Sequence, residues 1–345
     1  MRTIRITGTG SALPGRIVTN KELEQMVETS DEWIRERTGI AERHVSVGET
    51  VVTLASEAAR KALEQAGKRA EEIDLILVAT CSPEQYLPCC ACQVQADIGA
   101  VNALAFDVNA ACSGFLFALN TADAYLRMGL AENALIIGSE VLSKLVDWTD
   151  RGSCILFGDG AGAVVVERCK AESRAVEEKQ IPAAGILGRA LHSDGTGGGV
   201  LQCDARELTT PYARTSAVKT DQNQPMDDRE HFIQMDGQEV YRFATRRVPQ
   251  CIEEALSDAG LTVPDIDLFV LHQANARIID AVAKRLHADR KKFPTNLERV
   301  GNLSSASIPV FLDELHKQGK LHRGDRIVLA GFGAGLTIGA CVMTW

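Results

Sequence analysis

Short apolar runs alternate with amphipathic stretches along most of this chain. The apolar runs predict buried strands, and apolar residues spaced three and four positions apart predict helices between them. This alternation indicates an α/β fold, with layers of helices around sheets. The predicted strands are Ile4–Thr9, Leu75–Ala79, Ala103–Val108, Ala134–Ile137, Ala163–Glu167, Leu268–Leu271, Lys292–Thr295, Ile327–Ala330 and Ile338–Met343. The predicted helices are Val52–Gln65, Phe115–Arg127, Val240–Asp258, Ala276–Leu286 and Ile308–Lys317.

Part of this pattern occurs twice, at an offset of 193 residues. The motif Ala-Leu-x-x-Ala-Gly, followed after a short gap by Ile-Asp-Leu, begins at Ala62 and again at Ala255. The same offset pairs Asn109 with Asn302. The spacing is too long for a solenoid period, so it indicates two copies of one α/β unit. We therefore predict two halves, residues 1–170 and residues 171–345.

One polar stretch has no evident counterpart in the first half. It runs from about Cys169 to His231 and contains the glycine-rich run Gly195–Gly199. Long irregular segments inside a compact protein are usually functional or disordered. We expect a loop-rich insertion in the second half, most polar over residues 200–231.

Composition narrows the class of protein. The net charge of −9 argues against nucleic-acid binding, which needs a basic surface. No apolar run approaches the roughly 18 residues that a membrane helix requires. The chain opens on a strand-like pattern rather than an export signal, so its ten cysteines are expected to be reduced thiols. We expect a cytoplasmic enzyme with no membrane or nucleic-acid partner.

Cys112 lies between a predicted strand and a predicted helix. The unpaired N–H groups and the positive end of the helix dipole favour a thiolate at such a position. Its neighbours are small, as in Ala110-Ala111-Cys112-Ser113-Gly114, and leave room for a substrate carbonyl. The alternative is a small buried hydrophobe, a common role of cysteine. The strand–turn–helix position favours a nucleophile.

His272 and Asn302 are the candidate partners of this thiol. His272 follows an apolar strand, at the end of the strand where α/β proteins bind ligands, although it could simply cap the strand. Asn302 precedes a predicted helix, where asparagine often serves as an N-cap. The repeat places the loop of Asn302 opposite that of Cys112. Two neutral donors facing a thioester oxygen would stabilise an enolate.

At these residues the chain resembles the thiolase superfamily, and specifically the β-ketoacyl-acyl-carrier-protein synthase III family. Five motifs match in order over nearly the whole chain, except around Cys203–His231. The motifs are Trp33-x-x-x-Arg37-Thr38-Gly39-Ile40, Asn109-Ala110-Ala111-Cys112-Ser113-Gly114-Phe115, Phe157-Gly158-Asp159-Gly160-Ala161-Gly162-Ala163, His272-Gln273-Ala274-Asn275 and Gly301-Asn302.

The resemblance implies a thiolase-like five-layer αβαβα fold, a homodimer and a triad of Cys112, His272 and Asn302. It implies an acyltransferase that condenses an acyl-CoA primer with malonyl-acyl-carrier protein through an acyl-cysteine and initiates fatty acid synthesis. Coenzyme A thioesters and acyl carrier protein are then its substrates, and no cofactor or metal is expected. The amide of Ala334 would join that of Cys112 as an oxyanion hole, and Phe332 would shield the sulfur.

The resemblance also implies substrate contacts. Coenzyme A would contact Trp33, Arg37, Arg151 and Arg277. The acyl pocket would be lined by Cys81, Phe157 and Leu87, with Leu87 reaching across the dimer and leaving more room than an aromatic side chain.

A basic helix face is the candidate carrier-protein site. Arg277, Lys284 and Arg285 recur at helical spacing, which puts them on one face of a helix in an otherwise acidic protein. Acyl carrier proteins are acidic, so we expect them to dock there. An ordinary solvated face is the alternative, because Asp280 and Asp289 are nearby.

Three alternatives remain open on the sequence. A 3-hydroxy-3-methylglutaryl-CoA synthase needs a carboxylate after the strand ending near Thr80, where this chain has Cys81, with Glu84 further along. A secondary-metabolism homologue could use unusual acyl groups. A metal site at Cys89-Cys90-x-Cys92 has enough thiols but no second pair at zinc-ribbon spacing. The glycine patterns lack a complete dinucleotide fingerprint, which argues against NAD binding.

Overall fold

Two sheets and the helices around them form the framework in the computed structural model, which describes residues 2–170, 173–176, 179–182, 185–205 and 231–345. The strands are β1 (Arg2–Ala12), β2 (Arg16–Thr19), β3 (Glu42–Val45), β4 (Leu75–Ala79), β5 (Leu104–Val108), β6 (Asn133–Glu140), β7 (Gly160–Lys170), β8 (Ser173–Val176), β9 (Lys179–Pro182), β10 (Gly185–Ser193), β11 (Leu201–Gln202), β12 (Gln234–Met235), β13 (Leu268–Leu271), β14 (Arg326–Gly333) and β15 (Thr337–Thr344). The helices are α1 (Asn20–Leu23), α2 (Asp31–Thr38), α3 (Val51–Ala66), α4 (Cys90–Ile98), α5 (Gly114–Met128), α6 (Arg151–Cys154), α7 (Gly237–Ala259), α8 (Ala276–Arg285), α9 (Leu297–Val300) and α10 (Ser307–Lys317).

The two sheets repeat one topology. The first has the strand order β1-β7-β6-β4-β5 and the second β10-β15-β14-β13. β6 and β14 begin and end at positions 193 residues apart, Asn133 with Arg326 and Glu140 with Gly333. The sequence repeat therefore corresponds to equivalent strands of the two sheets.

The helices complete five layers. α3 and α4 cover the outer face of the first sheet, and α7 and α8 cover the outer face of the second. α5 and α10 lie between the sheets, where the apolar faces of both sheets and both helices form the central core. The thiolase-like αβαβα prediction is confirmed. None of the described helices is both long and apolar enough to cross a membrane.

The stretch from Cys169 to His231 is less irregular than expected. It contains β10, which pairs antiparallel with β15 as β1 pairs with β7. Both strands shift register just before a glycine, Gly8 or Gly188, that packs against the backbone of the outer helix. These glycines are 180 residues apart rather than 193, so a search at one offset misses them. Residues 206–230 of the predicted insertion lie outside the described residues.

The predicted strand Lys292–Thr295 is wrong. The segment is a short 3-10 turn followed by irregular chain. The ring of Phe293 stacks on Phe269, with centroids 4.4 Å apart, and Pro294 has no N–H to donate to a sheet. α9 lies where the offset would place a counterpart of β5. The second sheet therefore ends at β13, whereas the first sheet has the additional edge strand β5.

The connections after β6 and β14 differ in length. Residues 141–159 join β6 to β7, whereas residues 334–336 join β14 to β15. The long connection carries Trp148, Arg151 and Phe157 over the site described below, and the short one is a tight turn beside Cys112.

Candidate active site

A strained turn sets Cys112 at the entrance to α5. The 3-10 turn Ala111–Ser113 leads into the helix, and Ala111 has a left-handed φ of 45°. The Asn109 side-chain oxygen accepts a hydrogen bond from the N–H of Ala111 at 3.2 Å. Gly333, at the end of β14, packs so closely that a Cβ there would lie 2.5 Å from the backbone nitrogen of Cys112. Small residues on both sides therefore leave the sulfur accessible.

Asn302 stands in an equivalent turn before α10. Its Oδ1 accepts a hydrogen bond from the N–H of Ser304 at 2.9 Å, and Ser304 has a left-handed φ of 48°. This bond fixes which end of the amide faces the protein, so the Nδ2 hydrogens remain available for a ligand. The side chain is buried, with 7% of its area exposed.

His272 follows β13 and is neutral. Its backbone N–H donates to the carbonyl of Ala330 at 2.8 Å, and its ring meets Phe332 edge to face at 5.5 Å. Burial lowers the pKa of His272 from 6.5 to about 3. Nδ1 has no hydrogen-bond partner among the described residues. The imidazole therefore enters the site uncharged at physiological pH.

These three side chains line a single cavity of about 520 Å³. The predicted convergence of thiol, imidazole and amide is thus present in the structure. Several other residues singled out from the sequence line the same cavity: Arg37, Phe157, Arg277 and Phe332.

The expectation that Cys112 favours a thiolate needs correction. Burial raises the pKa of Cys112 to about 12, against the opposing effect of a hydrogen bond from Ser304, and the charge of Glu140 raises it further. The helix dipole favours the thiolate, but desolvation of the sulfur opposes it and has the larger effect here. Cys112 rests as a thiol that must lose its proton during reaction.

Trp33 lies between two arginines at the rim. The guanidinium of Arg151 is 4.9 Å from the Trp33 ring centroid and that of Arg37 is 5.8 Å away. Trp33 is on α2 and Arg151 begins α6, so the long connection after β6 brings them together. Arg277 lies apart from this group, with its guanidinium 5.7 Å from the ring centroid of Tyr241.

A second cavity of about 430 Å³ opens on the other side of Cys112. It is lined by Cys81, Phe157 and Ala334 as well as Cys112. Leu87 does not line it within this chain; its side chain is 86% exposed.

A buried carboxylate lies behind the loop of Asn302. Glu140 ends β6, is 0% exposed, and lines neither cavity. It accepts hydrogen bonds from the hydroxyls of Ser82 at 2.5 Å, Ser305 at 2.8 Å and Ser304 at 3.1 Å, and from the amide of Cys81 at 3.1 Å. Glu140 is not among the residues predicted from the sequence, although a lone carboxylate at the end of an apolar strand is a usable signal.

The remaining candidates lie away from the cavities. Cys89 caps α4, Cys90 is buried and Cys92 is exposed, with its Sγ near the carbonyl of Ala105. No cluster of three or more potential metal ligands occurs in the described part of the chain. Glu84 pairs with Lys144 at 2.9 Å.

The basic residues of α8 lie along its surface. Arg277 is exposed in its first turn, and Lys284 and Arg285 are exposed in its last turn. Asp280, on the same helix, is paired with Arg290.

Comparisons with known proteins identify the family. Residues 106–195 match the family model for 3-oxoacyl-[acyl-carrier-protein] synthase III, and residues 256–345 match the model for its C-terminal part. A β-ketoacyl-[acyl-carrier-protein] synthase III of Clostridium acetobutylicum is 46% identical over 345 residues, covering 100% of this chain and 99% of that protein. One of Desulfitobacterium hafniense is 46% identical over 346 residues, covering 100% and 98%.

Solved structures agree. The 3-oxoacyl-[acyl-carrier-protein] synthase III of Aquifex aeolicus superposes with a TM-score of 0.87 at 40% identity, covering 99% of this chain and 100% of that one. The priming β-ketosynthase of the R1128 polyketide pathway gives 0.86 at 34% identity, covering 99% and 96%. The end-to-end identity to synthases III favours their function over the secondary-metabolism and 3-hydroxy-3-methylglutaryl-CoA synthase alternatives. The chain belongs to the 3-oxoacyl-[acyl-carrier-protein] synthase III family.

Proposed function

We propose that Cys112 accepts the acyl group of an acyl-CoA primer and that His272 and Asn302 stabilise the enolate that attacks it. The reaction is the decarboxylative condensation with malonyl-acyl-carrier protein that initiates fatty acid synthesis. The observation that carries the proposal is the meeting of a thiol, a neutral imidazole and an oriented amide on the wall of one cavity.

In the first half-reaction, the Cys112 sulfur bonds to the acyl carbon as the bond from that carbon to the sulfur of coenzyme A breaks. The thiol proton leaves Cys112 and ends on the sulfur of coenzyme A, so no net charge accumulates. The amides of Cys112 and Ala334 would stabilise the transient oxyanion. The close approach of Gly333 to the Cys112 backbone supports this arrangement.

In the second half-reaction, malonyl-acyl-carrier protein loses CO₂ and leaves a thioester enolate. The ring N–H of neutral His272 and the Nδ2 hydrogens of Asn302 would hold the enolate oxygen while the enolate carbon attacks the acyl-cysteine. The bond from the acyl carbon to the Cys112 sulfur then breaks, and the sulfur leaves as a thiolate that takes a proton from water to restore the thiol. The carboxylate leaves as CO₂, so neither donor has to change its charge. We propose no cofactor or metal, since these neutral donors supply the stabilisation required.

The rim of the main cavity, where Trp33 lies near Arg37 and Arg151, is the proposed binding site for coenzyme A. A nucleotide base can stack on Trp33, and the guanidinium groups of Arg37 and Arg151 beside that ring can pair with phosphates. Arg277, at the mouth of the main cavity, would contact the pantetheine or the nucleotide.

The second cavity is the proposed acyl pocket, with Cys81 and Phe157 in its wall. We propose a homodimer that adds Leu87 of a second copy to this pocket. The free edge of β5 supports this assembly, because an unpaired strand edge is a template for another chain. Apolar side chains near that edge are exposed, including Val101 at 73% and Leu104 at 54%.

Carrier protein is proposed to dock on Arg277, Lys284 and Arg285, which are exposed on α8, because Arg277 also lines the main cavity. We propose the cytoplasm as the location, supported by free thiols such as Cys81 and Cys341.

Mass spectrometry after incubation with a panel of acyl-CoAs tests the nucleophile and the primer together. The added mass should equal one acyl group and map to Cys112, and Cys112→Ala should remain unlabelled. Cys154→Ala is the matched control and should be labelled like wild type, because this free thiol is buried in an apolar cluster within the long connection and lines neither cavity. Label on another cysteine in the Cys112→Ala protein would overturn the assignment.

A further inference from the structure

The turns that carry Cys112 and Asn302 are duplicates that have diverged. In one, Asn109 accepts a hydrogen bond from Ala111; in the other, Asn302 accepts one from Ser304. Ala111 and Ser304 are 193 residues apart and both have left-handed φ angles, 45° and 48°. The repeat has therefore preserved the backbone of the turn while its chemistry changed.

What packs against the two turns differs sharply. Gly333, at the end of β14, lies against Cys112. The residue at the same position of the first sheet is Glu140, which ends β6 against Ser305, the counterpart of Cys112. One turn thus packs closely against a glycine, which has no side chain, and the other packs against a buried carboxylate at the corresponding position.

This carboxylate holds Ser304 by its side chain. Ser304 donates its hydroxyl to Oε1 of Glu140 at 3.1 Å and its N–H to Oδ1 of Asn302 at 2.9 Å. A left-handed backbone is unfavourable for a residue with a Cβ, so it persists where surrounding contacts maintain it. Glu140 supplies one of those contacts, and Asn302 is attached to the residue that it holds.

We propose that Glu140 is a positioning residue for condensation, acting through Ser304 to hold the Asn302 amide towards the substrate. The inference rests on the enolate-binding role proposed for Asn302. It assigns Glu140 no contact with substrate, since this side chain lines neither cavity.

Glu140→Gln is the appropriate perturbation. Both carboxylate oxygens accept hydrogen bonds, Oε1 from Ser304 and Ser305, and Oε2 from Thr80 and Ser82. The amide of glutamine keeps one acceptor and replaces the other by a donor, so Ser304 and Ser305 lose their acceptor when the NH₂ group faces them. The shape of the side chain is otherwise retained. Ser304→Gly removes the contact with Glu140 in either case, so the two variants are read together.

The two half-reactions should respond differently. Acylation of Cys112 by acyl-CoA should stay within about threefold of wild type in Glu140→Gln, whereas single-turnover condensation of the acylated enzyme should slow about tenfold or more, approaching the effect of losing an oxyanion donor. Ser304→Gly should likewise slow single-turnover condensation about tenfold or more, because glycine accepts the left-handed backbone but has no hydroxyl. Since the Ser304 hydroxyl also hydrogen-bonds Cys112, this variant is acylated to completion beforehand and only its condensation step is compared. It keeps the test informative if Glu140→Gln does not fold.

Asp313→Asn is the matched control. Asp313 is also 0% exposed and also links distant parts of the chain, accepting hydrogen bonds from Thr9 at 2.8 Å and Ser11 at 2.5 Å. It has no contact with the Asn302 turn among the described residues. Its loss should lower stability but leave the ratio of condensation to acylation unchanged.

A double-mutant cycle separates the possible failures. In an Asn302→Ala background, Glu140→Gln should slow condensation by less than twofold, because the positioned group is already absent. A parallel fall in both half-reactions, wild-type condensation, or additive losses would each overturn the role of Glu140. Normal condensation by Asn302→Ala alone would instead overturn the proposed role of Asn302.

Discussion

Acidification from pH 8 to pH 5.5 should leave the condensation step of the acylated enzyme unchanged. Burial places the pKa of His272 at about 3, so more than about 99% of the imidazole stays neutral at pH 5.5. With the ordinary value of 6.5, about one molecule in ten would be neutral. A positive charge beside the malonyl carboxylate would favour its retention and oppose the loss of CO₂, so titration of His272 would change the rate.

The measurement is single-turnover condensation from pH 5.5 to 8, with Cys112 acylated beforehand at one pH to exclude the first half-reaction. His272→Asn is the control, because asparagine keeps an N–H donor but does not titrate. Both profiles should be flat in this range, whatever their absolute rates. An acid limb with a midpoint near 6.5 in wild type that disappears in His272→Asn would refute the neutral-imidazole account.

The same shift predicts a contribution to stability. The pKa of His272 is lower in the folded protein than in the unfolded chain, so the unfolded chain binds the proton first as the pH falls. Well above pH 6.5 the imidazole is neutral in both states and the free energy of unfolding is unaffected. As the pH falls from 6.5 towards 3, protonation of the unfolded chain progressively lowers the free energy of unfolding. At pH 5.5 the loss is about 1.4 kcal/mol, which is RT ln 11. Denaturant unfolding should show this extra loss in wild type relative to His272→Asn; equal losses would contradict it.

Three further substitutions test other parts of the site. Gly333→Ala should slow acylation at least about tenfold, because its Cβ would lie 2.5 Å from the Cys112 nitrogen; a normal labelling rate would argue against this packing. Lys284→Glu with Arg285→Glu should raise the carrier-protein KM about tenfold at low salt and spare acyl-CoA labelling; equal damage to both would argue against docking. Leu87→Phe should shift relative kcat/KM from octanoyl-CoA towards acetyl-CoA, within the roughly 1–3 kcal/mol per methylene that a pocket provides. Unchanged selectivity would remove Leu87 from the acyl pocket.

The features that could be predicted depend on local pattern or on the repeat. Leu75–Ala79 and Leu268–Leu271 match their strands because each is a short apolar run buried on both faces. The five principal helices agree to within a turn because their apolar spacing is a local signal, and α3, α5 and α7 also end at glycine C-caps. The 193-residue offset between equivalent loops was sufficient to predict that Cys112 and Asn302 lie close together.

The features that could not be predicted depend on distance through space or on unequal loop lengths. β10 escaped detection because the change of offset lies in a polar stretch with weak periodicity. The raised pKa of Cys112 reflects the burial of its sulfur, which spacing along the chain does not reveal. The role proposed for Glu140 depends on its hydrogen bonds with the hydroxyls of Ser304 and Ser305, and these residues belong to the other half of the chain.

The unequal connections after β6 and β14 have a consequence for how this fold can diversify. Residues 334–336 are confined by Cys112 on one side and by the paired ends of two strands on the other, so change there disturbs the nucleophile. Residues 141–159 join the same two strand positions but are longer, and they carry Arg151 and Phe157, which we propose contact coenzyme A and the acyl group. After the duplication, the short loop of residues 334–336 is constrained by its position beside the nucleophile. The long loop of residues 141–159 can vary in sequence, and such variation would change which thioesters the protein accepts.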